Sequence, residues 1–292
     1  MRIGVIILPE DPWARASAMW MSLEERGFAH AWIYDHLAWR ALADSPWYAT
    51  MPTLAAAALV TERIQLGTWV TSPNFRHPVT LAKDLLTLDD MSGGRVLAGM
   101  GAGGIGWDSA VFGGPDLSPR QRVDRFAEFV ELTDLLLRQP DTSFDGEWYT
   151  AVRARMVPAG SRSRIPLLVA ANGPRGMRIA SSADGWITSG TGPADTWDEW
   201  WSGVAGLVSR FEQVLAPADE PRPFRRMLSA DAGPTFALES LDAFTEAAGR
   251  AAELGFTDMV VHWPRADGPY RGDERLLDAV AGLLTDGEYL PS

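Results

Sequence analysis

The sequence predicts a single α/β domain folded as a (β/α)8 TIM barrel, and three observations carry that prediction. Eight short apolar runs rich in β-branched residues recur along the 292 residues, each followed by a longer stretch of helical period, which is the pattern of repeated parallel βαβ units. The length suits one barrel of about 250 residues with insertions. No low-complexity linker and no sequence repeat divides the chain.

In chain order the strands are read at 2–8, 31–35, 64–70, 95–100, 166–171, 185–189, 225–230 and 257–263. Helices are read at 12–26, 51–62, 77–91, 118–138, 174–183, 194–214, 238–254 and 271–284. Local chemistry supports the boundaries: Asp11 precedes Pro12 at the first helix start, Ser118-Pro119 opens the fourth helix, and Gly27 and Gly255 close two others. The segment 141–165 lacks helical period and carries Asp145-Gly146, so a short hairpin is expected to be inserted before the fifth barrel strand. An open doubly wound sheet is the alternative, but it would more often show fewer strands.

Composition removes several classes of function. A net charge of −12 repels nucleic acid and anionic membrane surfaces. Without cysteine there are no disulfides, thiolate nucleophiles or thiolate metal sites. Lys83 is the single lysine, and its position within a helical pattern argues against Schiff-base chemistry. No apolar run approaches the length of a membrane span. The opening MRIGVIILPE lacks a basic region followed by a long apolar stretch, so a cytoplasmic protein is expected.

Barrel active sites are built at the C-terminal ends of the strands. Those ends read Tyr34-Asp35-His36, Trp69-Val70-Thr71-Ser72, Gly99-Met100-Gly101-Ala102-Gly103-Gly104, Asn172-Gly173-Pro174-Arg175, Thr188-Ser189-Gly190 and Val261-His262-Trp263. Only two of the four histidines fall there and no His-x-His occurs, which disfavours a metallohydrolase. Facing carboxylates of a glycosidase are missing too, since only Asp35 and Asp231 are available. Glycines, small hydroxyls and tryptophans suit a large planar cofactor carrying phosphate. Gly173-Pro174-Arg175 at a helix start offers backbone N–H groups, the positive dipole end and a guanidinium. Gly101, Gly103 and Gly106 satisfy a dinucleotide-binding spacing, but Pro115 and Pro119 delay the helix that should follow. His36, beside Asp35, is the residue placed to exchange protons near neutral pH. Trp39, Trp107, His262 and Trp263 are candidates for the substrate pocket. His30 and His77 read as structural, and Trp197, Trp200 and Trp201 as core or interface packing.

The stretches GFAHAWIYDH, LGTWVTSPNFRHP, LTLDDMSGGRVLAGMGAGG, SFDGEWY, PLLVAANGP, ADGWITSG and LGFTDMVVHWPR resemble, in order, the luciferase-like monooxygenases. Asp-His after the second strand, with SPNFRHP and SGGR, looks more like the coenzyme F420-dependent branch than the flavin mononucleotide (FMN) branch. The resemblance implies a deazaflavin across the barrel mouth, with Asp35 and His36 near its redox-active ring. It implies a bulge with a cis peptide at Trp69-Val70 and a phosphate loop at Gly173-Pro174. Ser72, Gly101, Ala102, Gly103, Asn172, Arg175, Thr188 and Ser189 complete the expected cofactor site, and no metal is expected. Sugar-phosphate dehydrogenases of this branch carry a glutamate where this chain has Gly104, so their substrate does not transfer. The expected activity is hydride transfer between F420 and a small organic substrate, His36 acting as general acid/base and Asp35 orienting it or the cofactor. The alternatives are an FMN-dependent, reduced-flavin monooxygenase and a non-catalytic flavin-binding protein. Family homodimers imply a partner copy, and the alanine-rich stretch 54–60 could pack against it or against the barrel.

Overall fold

A computed structural model of the protein describes residues 1–157, 164–215 and 223–285. Its elements are β1 (Arg2–Ile7), α1 (Trp13–Glu25), β2 (His30–Ile33), α2 (Thr50–Val60), β3 (Gln65–Thr68), α3 (Pro78–Met91) and β4 (Val96–Gly101). There follow α4 (Trp107–Ala110), α5 (Pro119–Arg138), β5 (Asp141–Asp145), β6 (Thr150–Arg155), β7 (Leu167–Ala170), α6 (Pro174–Ser182) and β8 (Gly185–Thr188). The chain continues through α7 (Trp197–Glu212), β9 (Arg225–Ser229), α8 (Leu241–Glu253), β10 (Asp258–His262) and α9 (Arg275–Thr285). Eight of these strands form a closed barrel in the order β1-β10-β9-β8-β7-β4-β3-β2. Each overlaps one of the eight strands read from the sequence. Parallel pairing of β1 with β10, from Arg2 against Asp258 to Ile6 against His262, closes the ring.

The insertion before β7 is the expected hairpin: β5 and β6 pair antiparallel, with Asp145 opposite Thr150. Residues 158–163 of the insertion lie outside the described residues. The short helix α4, in the loop after β4, had no counterpart in the sequence reading.

Strand residues alternate between two apolar compartments, which explains why each strand reads as a nearly continuous apolar run. Ile3, Val5 and Ile7 of β1 face the helical shell. Ile6, Trp32, Leu97, Leu168, Met227 and Val260 fill the barrel interior, so the barrel is packed below its mouth rather than hollow. In α7, Trp200, Val204, Leu207 and Phe211 are buried at helical spacing, and Phe211 stacks on Trp186 of β8 at 4.4 Å and 7°. Burying each such side chain contributes about 1.5–3 kcal/mol. Ser118 and Gln121 form a capping box at the start of α5, satisfying helix N–H groups as the sequence signal implied.

Two buried polar arrangements sit in this apolar frame. At the lower end of the barrel, Trp32 Nε1 donates to His30 Nδ1 at 2.7 Å, and His30 Nε2 lies 3.0 Å from Asp258 Oδ1. An indole N–H only donates, so Nδ1 is an acceptor and the proton sits on Nε2, facing the carboxylate. The His30 ring has room only because residue 4 is glycine, since a Cβ there would stand 1.8 Å from Nδ1. The second arrangement is Arg95. Its guanidinium donates to Ser92 O, Thr61 Oγ1, Ile64 O, Ala58 O and Thr61 O at 2.7–2.9 Å, tying the end of α2 to the starts of β3 and β4. Among the described residues no helix is long and apolar enough to cross a membrane.

Candidate active site

The C-terminal ends of the barrel strands enclose a cavity of about 800 Å³, within the range of small-molecule and cofactor sites. Its lining comes from β2, β3, β7, β8, β9 and β10 and the loops that follow them. One wall is the bulge after β3, where the Trp69-Val70 peptide is cis. Hydrogen bonds from Trp69 N to Ile33 O, Thr71 N to Gly99 O and Gly101 N to Thr71 O, each 2.8 Å, hold the bulge between its neighbouring strands. Val70 fits because residue 101 is glycine: a Cβ there would lie 2.7 Å from Val70 Cγ2. Below it, Trp69 meets Trp32 edge-on at 5.2 Å, linking the mouth to the His30 arrangement.

His36 borders the cavity and is fixed from two sides. Its Nδ1 is 2.5 Å from Asp108 Oδ2, while its carbonyl accepts from Trp47 Nε1 at 2.8 Å. Asp108 is itself held by the Leu37 N–H, 2.8 Å from Oδ1, and is buried. With the Nδ1 proton turned to the carboxylate, Nε2 is the nitrogen left to the cavity.

That geometry corrects the sequence expectation for Asp35. Asp35 is fully buried and faces away from His36, accepting from Thr71 Oγ1 at 2.6 Å and from Arg76 through Nε at 3.0 Å and Nη2 at 2.6 Å. This bidentate pair fastens the end of β2 to the bulge. It does not orient the imidazole and does not border the cavity. Successive residues after a strand need not share a face, so adjacency in sequence misled. The carboxylate that holds the imidazole is Asp108, from α4.

A second polar group occupies the cavity wall. Tyr34 Oη lies 2.8 Å from His262 Nε2, and Asp231 Oδ2 accepts from His262 Nδ1 at 2.8 Å and from the His262 backbone N–H at 2.5 Å. The Tyr270 ring stacks on His262 at 3.5 Å and 5°. Burial, reinforced by Tyr270 and Asp231, pushes the Tyr34 phenol well above its ordinary value, so it stays a neutral hydroxyl.

The remaining sequence candidates divide clearly. Trp39, Trp69, Val70, Asn172, Thr188, Ser189 and His262 line the cavity. Asn172 accepts from Thr188 Oγ1 at 2.7 Å and donates to Gly190 O at 2.7 Å. Gly173, Pro174 and Arg175 lie exposed at the start of α6 beside Asn172. No side chain caps that helix, and Arg175 is paired with Asp124. Ser72, Gly101, Ala102 and Gly103 lie outside the lining, Gly103 being packed under Asn74. Ser72 Oγ is buried without a hydrogen-bond partner among the described residues. Two pocket candidates are displaced. Trp107 is 61% exposed on α4, and Trp263 turns outward to donate to Glu274 at 3.1 Å, bordering a separate cavity of about 290 Å³. Tyr34, Asp108 and Tyr270 are cavity or clamp residues that no sequence motif singles out, and Asp231 reads from sequence only as an available carboxylate. Asp231 follows β9 and His262 ends its parallel neighbour β10, and that adjacency was a usable signal. Nothing local points from position 108 to position 36.

The model of the luciferase-like monooxygenase family matches residues 1–230. The chain belongs to this family. Among curated luciferase-like relatives, an F420-dependent glucose-6-phosphate dehydrogenase of Beutenbergia cavernae is 30% identical, over 84% of this chain and 85% of the relative. A 5,10-methylenetetrahydromethanopterin reductase of Methanopyrus kandleri is 29% identical over 66% of this chain and 56% of its own length. Among solved structures, an F420-dependent secondary alcohol dehydrogenase in complex with an F420-acetone adduct superposes with a TM-score of 0.79 at 18% identity, covering 96% of this chain and 97% of the other. Monooxygenase RslO1 from Streptomyces bottropensis superposes at 0.73 and 20% identity, covering 99% and 100%. At these identities the superpositions establish the shared barrel.

Proposed function

We propose that the protein is a coenzyme F420-dependent oxidoreductase that moves a hydride between the deazaflavin and a small organic substrate. The observation that carries this reading is His36, clamped at Nδ1 by buried Asp108 and presenting Nε2 to a cofactor-sized cavity. The F420-dependent relatives support it. The residues present fit the group. Trp69 and Val70 offer a flat apolar wall for a ring, and Asn172, Thr188 and Ser189 offer polar atoms at its edge. The uncapped N–H groups of α6, with Gly173, Pro174 and Arg175, would hold an anionic tail. Gly101 supports the bulge through its N–H to Thr71 O and the space it leaves Val70, and Asp35 secures it through Arg76 and Thr71.

Bound there, the deazaflavin would supply the two-electron hydride carrier. His36 Nε2 takes or gives the accompanying proton, and Asp108 stabilises the imidazolium that forms. Trp39 and His262 contribute to the substrate side of the cavity.

The test is titration of the purified protein with F420, its reduced form and FMN, read by tryptophan fluorescence. F420 should bind more tightly than FMN; equal or tighter FMN binding would favour the reduced-flavin monooxygenase reading and reverse the proposal. In parallel, His36→Ala should lose roughly 100-fold in turnover while its cofactor affinity changes far less.

A further inference from the structure

We infer that Arg40 anchors the carboxylate of a small, singly charged anionic substrate at the rim of the cavity, and that this ion pair decides which substrates the site accepts. The inference deepens the proposed function by naming its substrate class, and it rests on that reading only for the hydride step that follows binding.

The argument begins with the backbone. Arg40 has φ +41°, a left-handed conformation that an arginine seldom adopts. Hydrogen bonds from Leu42 N to Trp39 O at 2.8 Å and from Ala43 N to Arg40 O at 3.2 Å hold the turn, and the guanidinium lies over the Trp39 ring, 5.3 Å from its centroid. Tyr270, at φ +63°, is strained in the same way and stacks toward Trp39 at 6.5 Å and 28°. Two of the three non-glycine residues with positive φ among the described residues thus border one cavity. Such strain persists only where the surroundings enforce it, and it gathers at functional sites. Trp39 in turn meets Tyr34 at 5.1 Å, and Tyr34 meets His36 at 5.9 Å, so the guanidinium and the imidazole stand along one wall.

Charge then names the ligand. Apart from the histidines, Arg40 and Asp231 are the charged residues of the lining, and they are served differently. Asp231 accepts from the Ala237 N–H at 3.1 Å and from the backbone N–H and Nδ1 of His262. The Arg40 side chain has no hydrogen bond or ion pair among the described residues, whereas Arg76, Arg175 and Arg265 of neighbouring loops pair with Asp35, Asp124 and Glu10. Its charge nevertheless reaches inward: burial raises the Tyr34 and Tyr270 phenols, and Arg40 pulls both back down against Asp231. One guanidinium offers a planar fork that matches a carboxylate in shape and charge. A phosphate dianion would need further cations to offset its desolvation. Strand order separates this anion from the cofactor tail, because Arg40 follows β2 while the uncapped start of α6 follows β7, with β4 and β3 between them. Trp39, Trp69 and Tyr270 give the ligand's body aromatic surface, and His36 Nε2 stays available for the proton.

The test uses the full chain, with and without F420, and follows tryptophan fluorescence at pH 8 while cyclohexanecarboxylate, its neutral carboxamide or cyclohexyl phosphate is added. The carboxylate should bind roughly tenfold more tightly than the carboxamide, the scale of a charge-assisted bond weakened by solvent at an exposed guanidinium. It should also bind more tightly than the phosphate. Arg40→Gln should erase the preference for the carboxylate while leaving affinity for the carboxamide within about twofold. In the wild type, about 1 M salt should shrink the same preference without the variant, since it screens an exposed pair. The F420 affinity of Arg40→Gln should stay within about twofold, which separates an anion on the substrate from one on the cofactor tail. Equal affinities for carboxylate and carboxamide, a preference that survives Arg40→Gln or the added salt, tighter binding of the phosphate, or a larger loss of F420 affinity in Arg40→Gln would each overturn the inference. Failure to bind F420 with the carboxylate preference intact would instead remove the proposed function and leave the selectivity standing.

Discussion

Acidification from pH 8 to pH 5 should destabilise the fold through His30. Its Nδ1 accepts from Trp32 and its Nε2–H faces Asp258, so a second proton has no place on the ring unless the indole bond breaks. Burial pushes His30 below its ordinary value of 6.5 against the pull of Asp258, and the charges of Arg225 and Arg2 push the same way. Burial opposes ionisation of Asp258, but the bond from His30 and the nearby charges outweigh it and hold its carboxyl below the usual range. Asp258 therefore stays ionised across this window. Below pH 6.5 the unfolded chain takes up a proton that native His30 refuses, so stability is complete above that pH and is lost as pH falls beneath it. The slope is at most about 1.4 kcal/mol per unit, so this group's loss at pH 5 has a ceiling of about 2 kcal/mol. For 292 residues the unfolding entropy is about 0.6 kcal/mol/K, so the melting temperature should drop measurably, by no more than about 3 °C from this group. The assay compares urea or thermal unfolding of wild type and His30→Gln from pH 8 to pH 5. Glutamine leaves Trp32 unpaired at every pH, costing about 1–3 kcal/mol, but it removes the pH-dependent part. Titrations common to both proteins cancel in the difference. A wild-type minus variant difference that stays flat between pH 8 and pH 5 would refute the reasoning.

Three other outcomes follow from the site and its supports. Asp108→Asn keeps the Leu37 contact through its oxygen and turns an N–H toward His36, so the histidine should switch to the Nε2–H form by NMR, and turnover should fall about 10- to 150-fold, the worth of a charge-assisted bond; activity within twofold of wild type would contradict this. Gly101→Ala presses a methyl against Val70, so F420 affinity should weaken about tenfold in fluorescence titration, with an overpacking cost of about 1–3 kcal/mol. Gly4→Ala places a carbon on the His30 ring, so denaturant unfolding should show a loss of at least about 1–3 kcal/mol, and the His30-dependent pH slope should shrink with it.

The barrel was legible because its evidence is periodic. Apolar runs such as RIGVII and DMVVH are buried on both faces, and turn residues such as Gly27 and Gly255 take positive φ where the helices end. The bulge at Trp69-Val70 was legible only through family likeness, since no local pattern specifies it. The cavity lining was partly legible. His36, Trp39, Asn172 and Thr188 were placed on it because strand ends converge on one face of a barrel. Asp108 was not, because a four-residue helix in a glycine-rich loop brings it 72 positions back to His36. Trp107 and Trp263 were misplaced for a related reason: proximity to a strand end fixes the neighbourhood of a side chain but not the side on which it emerges.

Arg95 holds a full positive charge that burial makes costly, and its hydrogen-bond partners are four main-chain carbonyls and one hydroxyl rather than a carboxylate. Dissolved ions compete well with an exposed counter-ion but poorly with oxygens locked into the backbone. This clasp between the second and third βα units should thus hold its strength from dilute buffer to concentrated salt, while peripheral pairs such as Arg175 with Asp124 fade. Ionic strength will then loosen the rim before the frame, so that a brine-treated molecule lets go of its surface pairs while its barrel remains closed.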